Sequence, residues 1–318
     1  MRDHRWARLY IPILIGLACL YASRCAPPEA AIAPATPEAM TALPAAIASP
    51  TPSMAMPTAT GTPSPTVTLT PMSEPTPTEV TERVKMTIVY DNNAYDPRLR
   101  TAWGFACLIE RGDLTLLFDT GGDAPTLLSN MDALGLDPRA IDIVVLSHIH
   151  GDHVGGLEGI LAVNEQVTVY LPRSFPASFK EQVKAHARLV EVHEPMEIAE
   201  GIYTTGELGA GIIEQSLVLV MRRGLVVITG CAHPGVVNIV EKARGIAGGE
   251  VYLVMGGFHL SGESEDKIEG IIADFRRLGV RKVAPCHCTG EQAIRMFAAE
   301  YGEDFIKVGV GRVLEIGP

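Results

Sequence analysis

"VVLSHIHGDHVGGL" (144–157) sets three histidines and an aspartate within six residues, directly after an apolar run. A solvated loop gains nothing from that density of imidazole, and a packed core cannot satisfy it. A bound cation can. His148 and His150 alternate along an extended segment, so both side chains can point at one ion. Asp152 and His153 lie beyond the turn, placed for a second ion. Imidazole with carboxylate suits borderline divalent metals, zinc first, with manganese or iron as alternatives. Gly151, Gly155 and Gly156 let the backbone bend closely around such ions before the next helix. Two neighbouring ions that share a hydroxide can attack an ester, an amide or a phosphate.

Apolar runs of strand length recur on both sides of this stretch. "KMTIVY" (85–90), "GFACLIE" (104–110) and "LTLLF" (114–118) come first, followed by a helical pattern from Ala124 to Leu134. Four runs then share one design: "IDIVVLSHIH", "GLVVITGCAH", "EVYLVMGGFH" and "VRKVAPCH". Each is a short β-rich segment whose end delivers histidine: His148 and His150, then His233, His259 and His287. Amphipathic helical spacing follows three of them, over 235–247, 264–278 and 290–300. Alternating strands and helices predict sheets covered by helices, with functional groups gathered at strand ends. Packing does not require four separate strands to end in histidine. A shared site does.

"SHIHGDHVGGL" (147–157) resembles the HxHxDH signature of the metallo-β-lactamase fold superfamily, and "LLFDTGG" (116–122) resembles its preceding strand end. The resemblance implies an α/β fold, an αββα sandwich with a metal centre at its edge. It also implies that Asp119 supports the metal loop without itself holding an ion. Read alone, "DTG" (119–121) also fits an aspartic-protease half-site, but that chemistry needs two copies and the chain has one. "GCAHPGVVNIV" (230–240), "GGFHL" (256–260) and "PCHCTGEQA" (285–293) are similar to one branch of the superfamily, the dihydropteroate-synthase-like branch related to methanopterin biosynthesis. The synthase of that branch joins a pterin unit to an aminobenzene riboside phosphate. The resemblance spans about residues 85 to 316.

The chain departs from the wider superfamily in two places. No Asp occurs between Asp152 and Asp266, so the usual metal-bridging aspartate has no counterpart on the strand 225–230. Cys231 follows that strand, where a thiolate can take the aspartate's place, and His233 can supply the missing imidazole. The implied ligands are therefore His148, His150, Asp152, His153, His233 and His287, with Cys231 as the substitute. Where a further histidine turn belongs the chain reads "TTGELG" (204–209), in which Glu207 is the one side chain able to ligate. The catalytic candidates are Asp152 and His259; His259 stands open as ligand, substrate contact, general acid or structural histidine. His186 and His193 lack companions and read as structural. Alternation points Cys286 and Cys288 away from His287, which predicts packing roles, and Cys107 reads as core.

Charge and composition bound the partners. The 318 residues are 47% hydrophobic and 6% aromatic, and carry a formal charge of −11. Residues 1–25 carry +3 and 26–80 carry −4, which leaves −10 on 81–318. An acidic domain without a basic cluster argues against nucleic acid, and so against a nuclease of this fold. Arg2, Arg5 and Arg8 precede an apolar run from Leu9 to Ala22, the pattern of a signal peptide or short signal-anchor over 1–25. Residues 26–80, rich in Pro, Thr and Ala, predict a disordered linker to a working domain over 81–318. Together these predict an exported, extracytoplasmic protein, secreted or anchored, that touches membrane only through its N-terminus and acts on a small molecule. Three functions are compatible: a metal-dependent hydrolase using metal-bound hydroxide, a pterin-coupling transferase on the same metals, and a non-catalytic surface module stabilised by metal. Export weighs against the transferase, because pterin precursors are made in the cytoplasm.

Overall fold

The computed structural model describes residues 83–317. The signal or anchor segment and the linker predicted above lie outside the described residues, and no described helix is long and apolar enough to cross a membrane.

Thirteen strands form two sheets among the described residues. The first takes β1 (Val84–Asp91), β2 (Phe105–Arg111), β3 (Leu114–Phe118), β4 (Ile143–Val145), β5 (Thr168–Pro172), β6 (Arg188–Val192) and β13 (Val313–Ile316) in the order β13-β1-β2-β3-β4-β5-β6. The second takes β7 (Met196–Ala199), β8 (Ile202–Thr204), β9 (Leu217–Met221), β10 (Gly224–Thr229), β11 (Val251–Gly257) and β12 (Lys282–Cys286) in the order β12-β11-β10-β9-β8-β7. Both sheets are mixed. β3 to β6 run parallel in the first and β10 to β12 in the second, while the remaining pairs are antiparallel.

The hydrophobic pattern explains the layering. Met86, Ile88, Phe105 and Phe118 of the first sheet pack against Leu219, Val226, Ile228 and Met255 of the second, all fully buried. On the other face of the first sheet, Leu117, Val144 and Val169 meet Leu127 and Met131 of α1 (Ala124–Ala133) and Ile160 of the short α3 (Leu157–Leu161). On the other face of the second, Val227, Val254 and Val283 meet three helices. These are Ile239 of α5 (Val236–Ala247), Ile268 and Phe275 of α6 (Glu265–Arg277) and Phe297 of α7 (Glu291–Tyr301). Strands buried on both faces read as unbroken apolar runs, which is why "DIVVL" and "GLVVIT" show no alternation. Each such side chain contributes on the order of 1.5–3 kcal/mol on burial.

This layering fixes where the chemistry goes. β10, β11 and β12 are parallel neighbours, so their C-terminal ends lie together. The loop after β4 carries His148 and His150 and leads into α2 (Gly151–Val154). The segments after β10, β11 and β12 carry Cys231 and His233, His259, and His287 respectively. The helices predicted over 124–134, 235–247, 264–278 and 290–300 all form, within a residue or two of those bounds. β12 delivers His287 into a single 3₁₀ turn, His287–Thr289, rather than at the end of an extended strand.

Candidate metal centre

One buried carboxylate organises the loop after β4. Ser147 donates its N–H to Asp119 Oδ1 and its hydroxyl to Asp119 Oδ2, both at 2.7 Å. His153 Nδ1 meets the same Oδ2 at 2.7 Å. Asp119 directly follows β3, so the end of β3 is tied to both halves of the histidine loop. With its proton spent on Asp119, Ser147 Oγ accepts from His148 Nδ1, 2.9 Å away. His287 Nδ1 lies 2.9 Å from Asn92 Oδ1, whose amide nitrogen donates to the His287 carbonyl at 3.2 Å. These partners put the proton of His148, His153 and His287 on Nδ1 and leave each Nε2 as a bare lone pair.

The lone pairs converge. His153 Nε2 lies 3.2 Å from His287 Nε2 and 3.2 Å from Cys231 Sγ. Asp152 Oδ2 is 3.6 Å from the first imidazole and 3.4 Å from the second. His148 Nε2 faces His150 Nδ1 at 3.1 Å, and His233 Nε2 is buried with no hydrogen-bond partner. Two donor groups result, Asp152–His153–Cys231–His287 and His148–His150–His233, each with its ligand atoms within 4.8 Å of one another. Lone pairs held this close repel unless a cation or a proton lies between them. An orphaned buried nitrogen in a group of three imidazoles, next to a second group of two imidazoles, a carboxylate and a thiol, fits divalent metal ions.

The electrostatics agree. Burial, then the imidazoles of His153 and His233, push His148 far down and keep it neutral, as a ligand must be. Burial, then His259 and His150, lower His233 to about 4. Burial opposes ionisation of Asp152, but the imidazoles of His287 and His153 outweigh it and hold the carboxyl well below the usual range. Burial likewise opposes charge on His153, yet Asp119, Asp152 and Glu214 raise it. A field that favours a proton on His153 favours a metal cation there as well.

Backbone strain collects at the same edge. Among the described residues, the non-glycine positions with positive φ are Asp119 (58°), Ala232 (61°), His259 (54°) and His287 (48°). Each such position costs of order 1–3 kcal/mol and persists only where its surroundings impose it. All four either border this centre or carry a donor.

Comparison with known proteins agrees with this geometry. The metallo-beta-lactamase superfamily model matches residues 104–245. The 7,8-dihydropterin-6-methyl-4-(β-D-ribofuranosyl)-aminobenzene-5′-phosphate synthase of Methanocaldococcus jannaschii is 31% identical over 279 residues, covering 72% of this chain and 95% of the synthase. The chain belongs to the metallo-β-lactamase superfamily. Within it the chain resembles the branch of that synthase. A crystal structure described as a metal-dependent hydrolase of the β-lactamase superfamily aligns with a TM-score of 0.64 and 29% identity, over 74% of this chain and all of that one. The metallo-β-lactamase fold protein YhfI from Bacillus subtilis shares the fold at a TM-score of 0.57 and 15% identity, over 74% of this chain and 99% of its own.

Several residues of this superfamily member stand differently from their sequence reading. Glu207 does not reach the metal centre: it accepts from Ser174 N at 2.6 Å and pairs with His193 Nδ1 at 2.7 Å on the surface. Cys288 is not turned away from the site. The 3₁₀ turn breaks the strand alternation and brings its sulfur within 4.8 Å of Cys231 and His259. Cys286 is fully buried between the sheets, and so is Cys107. Gly155 and Gly156 have ordinary right-handed backbone, φ −67° and −87°. Glycine is needed there for close approach: a Cβ would lie 2.1 Å from Gly122 O at the first and 2.1 Å from Thr120 O at the second.

Three neighbours of the site, Glu214, Asn92 and Trp103, escape the sequence reading. Glu214, fully buried, accepts N–H bonds from Gly230, Cys231 and Ala232 on Oε1 (3.1, 3.0 and 2.9 Å) and from His233 on Oε2 (2.9 Å). It therefore shapes the whole turn that presents Cys231 and His233. Burial pushes its carboxyl up to about 6 against the pull of those N–H donors. The only hint was an acidic residue at the threshold of the apolar run "SLVLVM" (216–221). Asn92 orients His287, and the 58%-exposed Trp103 stands beside that imidazole with ring centroids 5.0 Å apart.

Proposed function

We propose that this chain is a metal-dependent hydrolase acting on a phosphoester, an ester or a similar bond of a small molecule. One observation carries the reading: two adjacent groups of converging donors, one holding the orphaned His233 Nε2, at an edge where His150, Asp152 and His233 are only partly buried. His148, His150 and His233 would hold one divalent ion, and Asp152, His153, His287 and Cys231 a second. A divalent ion supplies Lewis acidity toward a carbonyl or phosphoryl oxygen and acidifies water. The protein's own work is orientation. Asp119 and Asn92 fix the ring tautomers, Ser147 holds His148, and Glu214 holds the Cys231–His233 turn. Zinc suits the mixed nitrogen, oxygen and sulfur donors best, with manganese or iron as alternatives.

The 31%-identical synthase supports a second reading, a pterin-coupling transferase on the same donors. Metal-loaded full chain, assayed against phosphomonoesters, phosphodiesters and carboxylic esters and against a pterin–aminobenzene coupling pair, separates the two. Turnover of an ester or phosphoester lost in both His148→Ala and Asp152→Ala supports the hydrolase; coupling without hydrolysis refutes it. Export from the cytoplasm and a small-molecule substrate remain part of this proposal, supported by the basic and apolar N-terminus and the acidic surface.

A further inference from the structure

Beside the two donor groups lies a third, composed of Cys231, His259 and Cys288, with its ligand atoms also within 4.8 Å of one another. Three elements meet there: the turn after β10, the segment after β11 and the 3₁₀ turn after β12. Cys231 and Cys288 are buried, whereas His259 is exposed and closes the group toward solvent. The backbone is shaped for this contact. Gly257 has no room for a side chain, since a Cβ would stand 2.6 Å from Cys288 Sγ and 3.3 Å from the Cys231 Cα. Phe258 N–H is held by Thr289 Oγ1 at 3.1 Å, which locks the His259 segment onto the Cys288 turn. His259 itself sits at φ 54°, a conformation shared among described non-glycine residues only with Asp119, Ala232 and His287. A surface histidine with no task has no reason to hold that backbone. Its ring lies 4.3 Å, centroid to centroid, from that of His233 and is tilted 54° to it, so the third group adjoins the other two.

We propose that Cys231, Cys288 and His259 form a third metal site, which takes a thiophilic divalent ion such as zinc, with the Cys231 sulfur shared between it and the adjoining Asp152–His153–His287 group. Two thiolates and an imidazole are a zinc-type donor set with a fourth position left open. The Cys288 sulfur interacts with the side chains of both Cys231 and His259, and its thiol donates weakly to the Cys231 carbonyl at 3.6 Å. The site goes beyond the hydrolase reading and rests on it only through the shared Cys231.

The test is metal content of the full chain by elemental mass spectrometry, with absorption of the cobalt-substituted protein as a second readout. Three ions per chain are expected in the unaltered protein. Cys288→Ala and His259→Ala should each lower the content by one ion. Cys288→Ala should also reduce the thiolate-to-cobalt charge-transfer band, whereas His148→Ala should lower metal content and leave that band unchanged. His259 is exposed, so its variant answers the question even where Cys288→Ala fails to fold. Two ions in the unaltered chain, unchanged in both variants, would overturn the third site and leave the hydrolase reading standing. A chain that takes up no metal overturns both. A Cys231–Cys288 disulfide in chain purified without reductant overturns the site as well, because paired sulfurs cannot ligate.

Discussion

Asp119 ties both halves of the histidine loop to the end of β3 without belonging to either donor group. It accepts from the Ser147 backbone, the Ser147 hydroxyl and His153 Nδ1. Asp119→Ala leaves those groups unsatisfied in a fully buried position, at a cost of roughly 3–5 kcal/mol. It also frees the rings of His148 and His153 to turn. The expected outcome is a lower melting temperature together with a 10- to 100-fold loss of metal affinity, of the order seen when a ligand's supporting partner is removed. Metal titration beside thermal melting checks it; full affinity in Asp119→Ala would show that the rings are held by something else. Glu214→Gln acts on the neighbouring turn. One acceptor oxygen survives, but an amide nitrogen now faces a backbone N–H, and the unmade bond costs about 1–3 kcal/mol. Metal content should fall at the groups that use Cys231 and His233, with α1 and its packing unaffected by hydrogen exchange.

At the scale of elements, the decisive contact is between the segment after β3 and the one after β4. Thr120 donates both its N–H (2.8 Å) and its hydroxyl (3.0 Å) to the His153 carbonyl, and Gly155 N–H reaches Gly121 O at 3.0 Å. The two loops are thus zipped with no side chains between them at Gly155 and Gly156. Gly155→Ala forces a methyl group to 2.1 Å from a backbone oxygen, so the loops must part. Overpacking of this kind costs on the order of 1–3 kcal/mol, and the displaced His153 should weaken metal binding. Gly151→Ala is the control in the same motif, since its Cβ meets nothing within 4 Å and its stability change should stay within about ±0.5 kcal/mol. Equal melting temperatures for the two variants would refute the steric account. Strands β1 to β4 and β10 to β12 and the helices α1, α5, α6 and α7 were legible because apolar period and length are local properties, whereas β5 to β9 and β13 were not singled out. The 3₁₀ turn at His287–Thr289 was not, since alternation assumes a strand that continues. That one change of conformation moved Cys288 from a packing role to the metal edge.

For the whole molecule, metal and fold are linked. The donors come from the ends of strands in both sheets, so an ion that binds them binds only the assembled sandwich. Metal at 100 times its dissociation constant adds about 2.7 kcal/mol, which for a domain of this size is roughly 5–10 °C in melting temperature. Dialysis against a chelator should lower the melting temperature by that order, and zinc should restore it. An unchanged melting curve would mean that the ligand edge forms independently of the ion.

The histidine loop and the four strand ends were readable because donor type and strand pattern are written in short consecutive segments. The chain's membership of its superfamily follows from those same segments. Which donors share an ion was decided only by the tertiary structure. His153 meets Cys231 from 78 residues away and His287 from 134, and separations of that length carry no periodicity. The fold also decided that Glu214, and not Glu207, serves the site. Both are acids in the same stretch of chain, and what distinguishes them is burial under the turn after β10, a property that exists only once the two sheets have met.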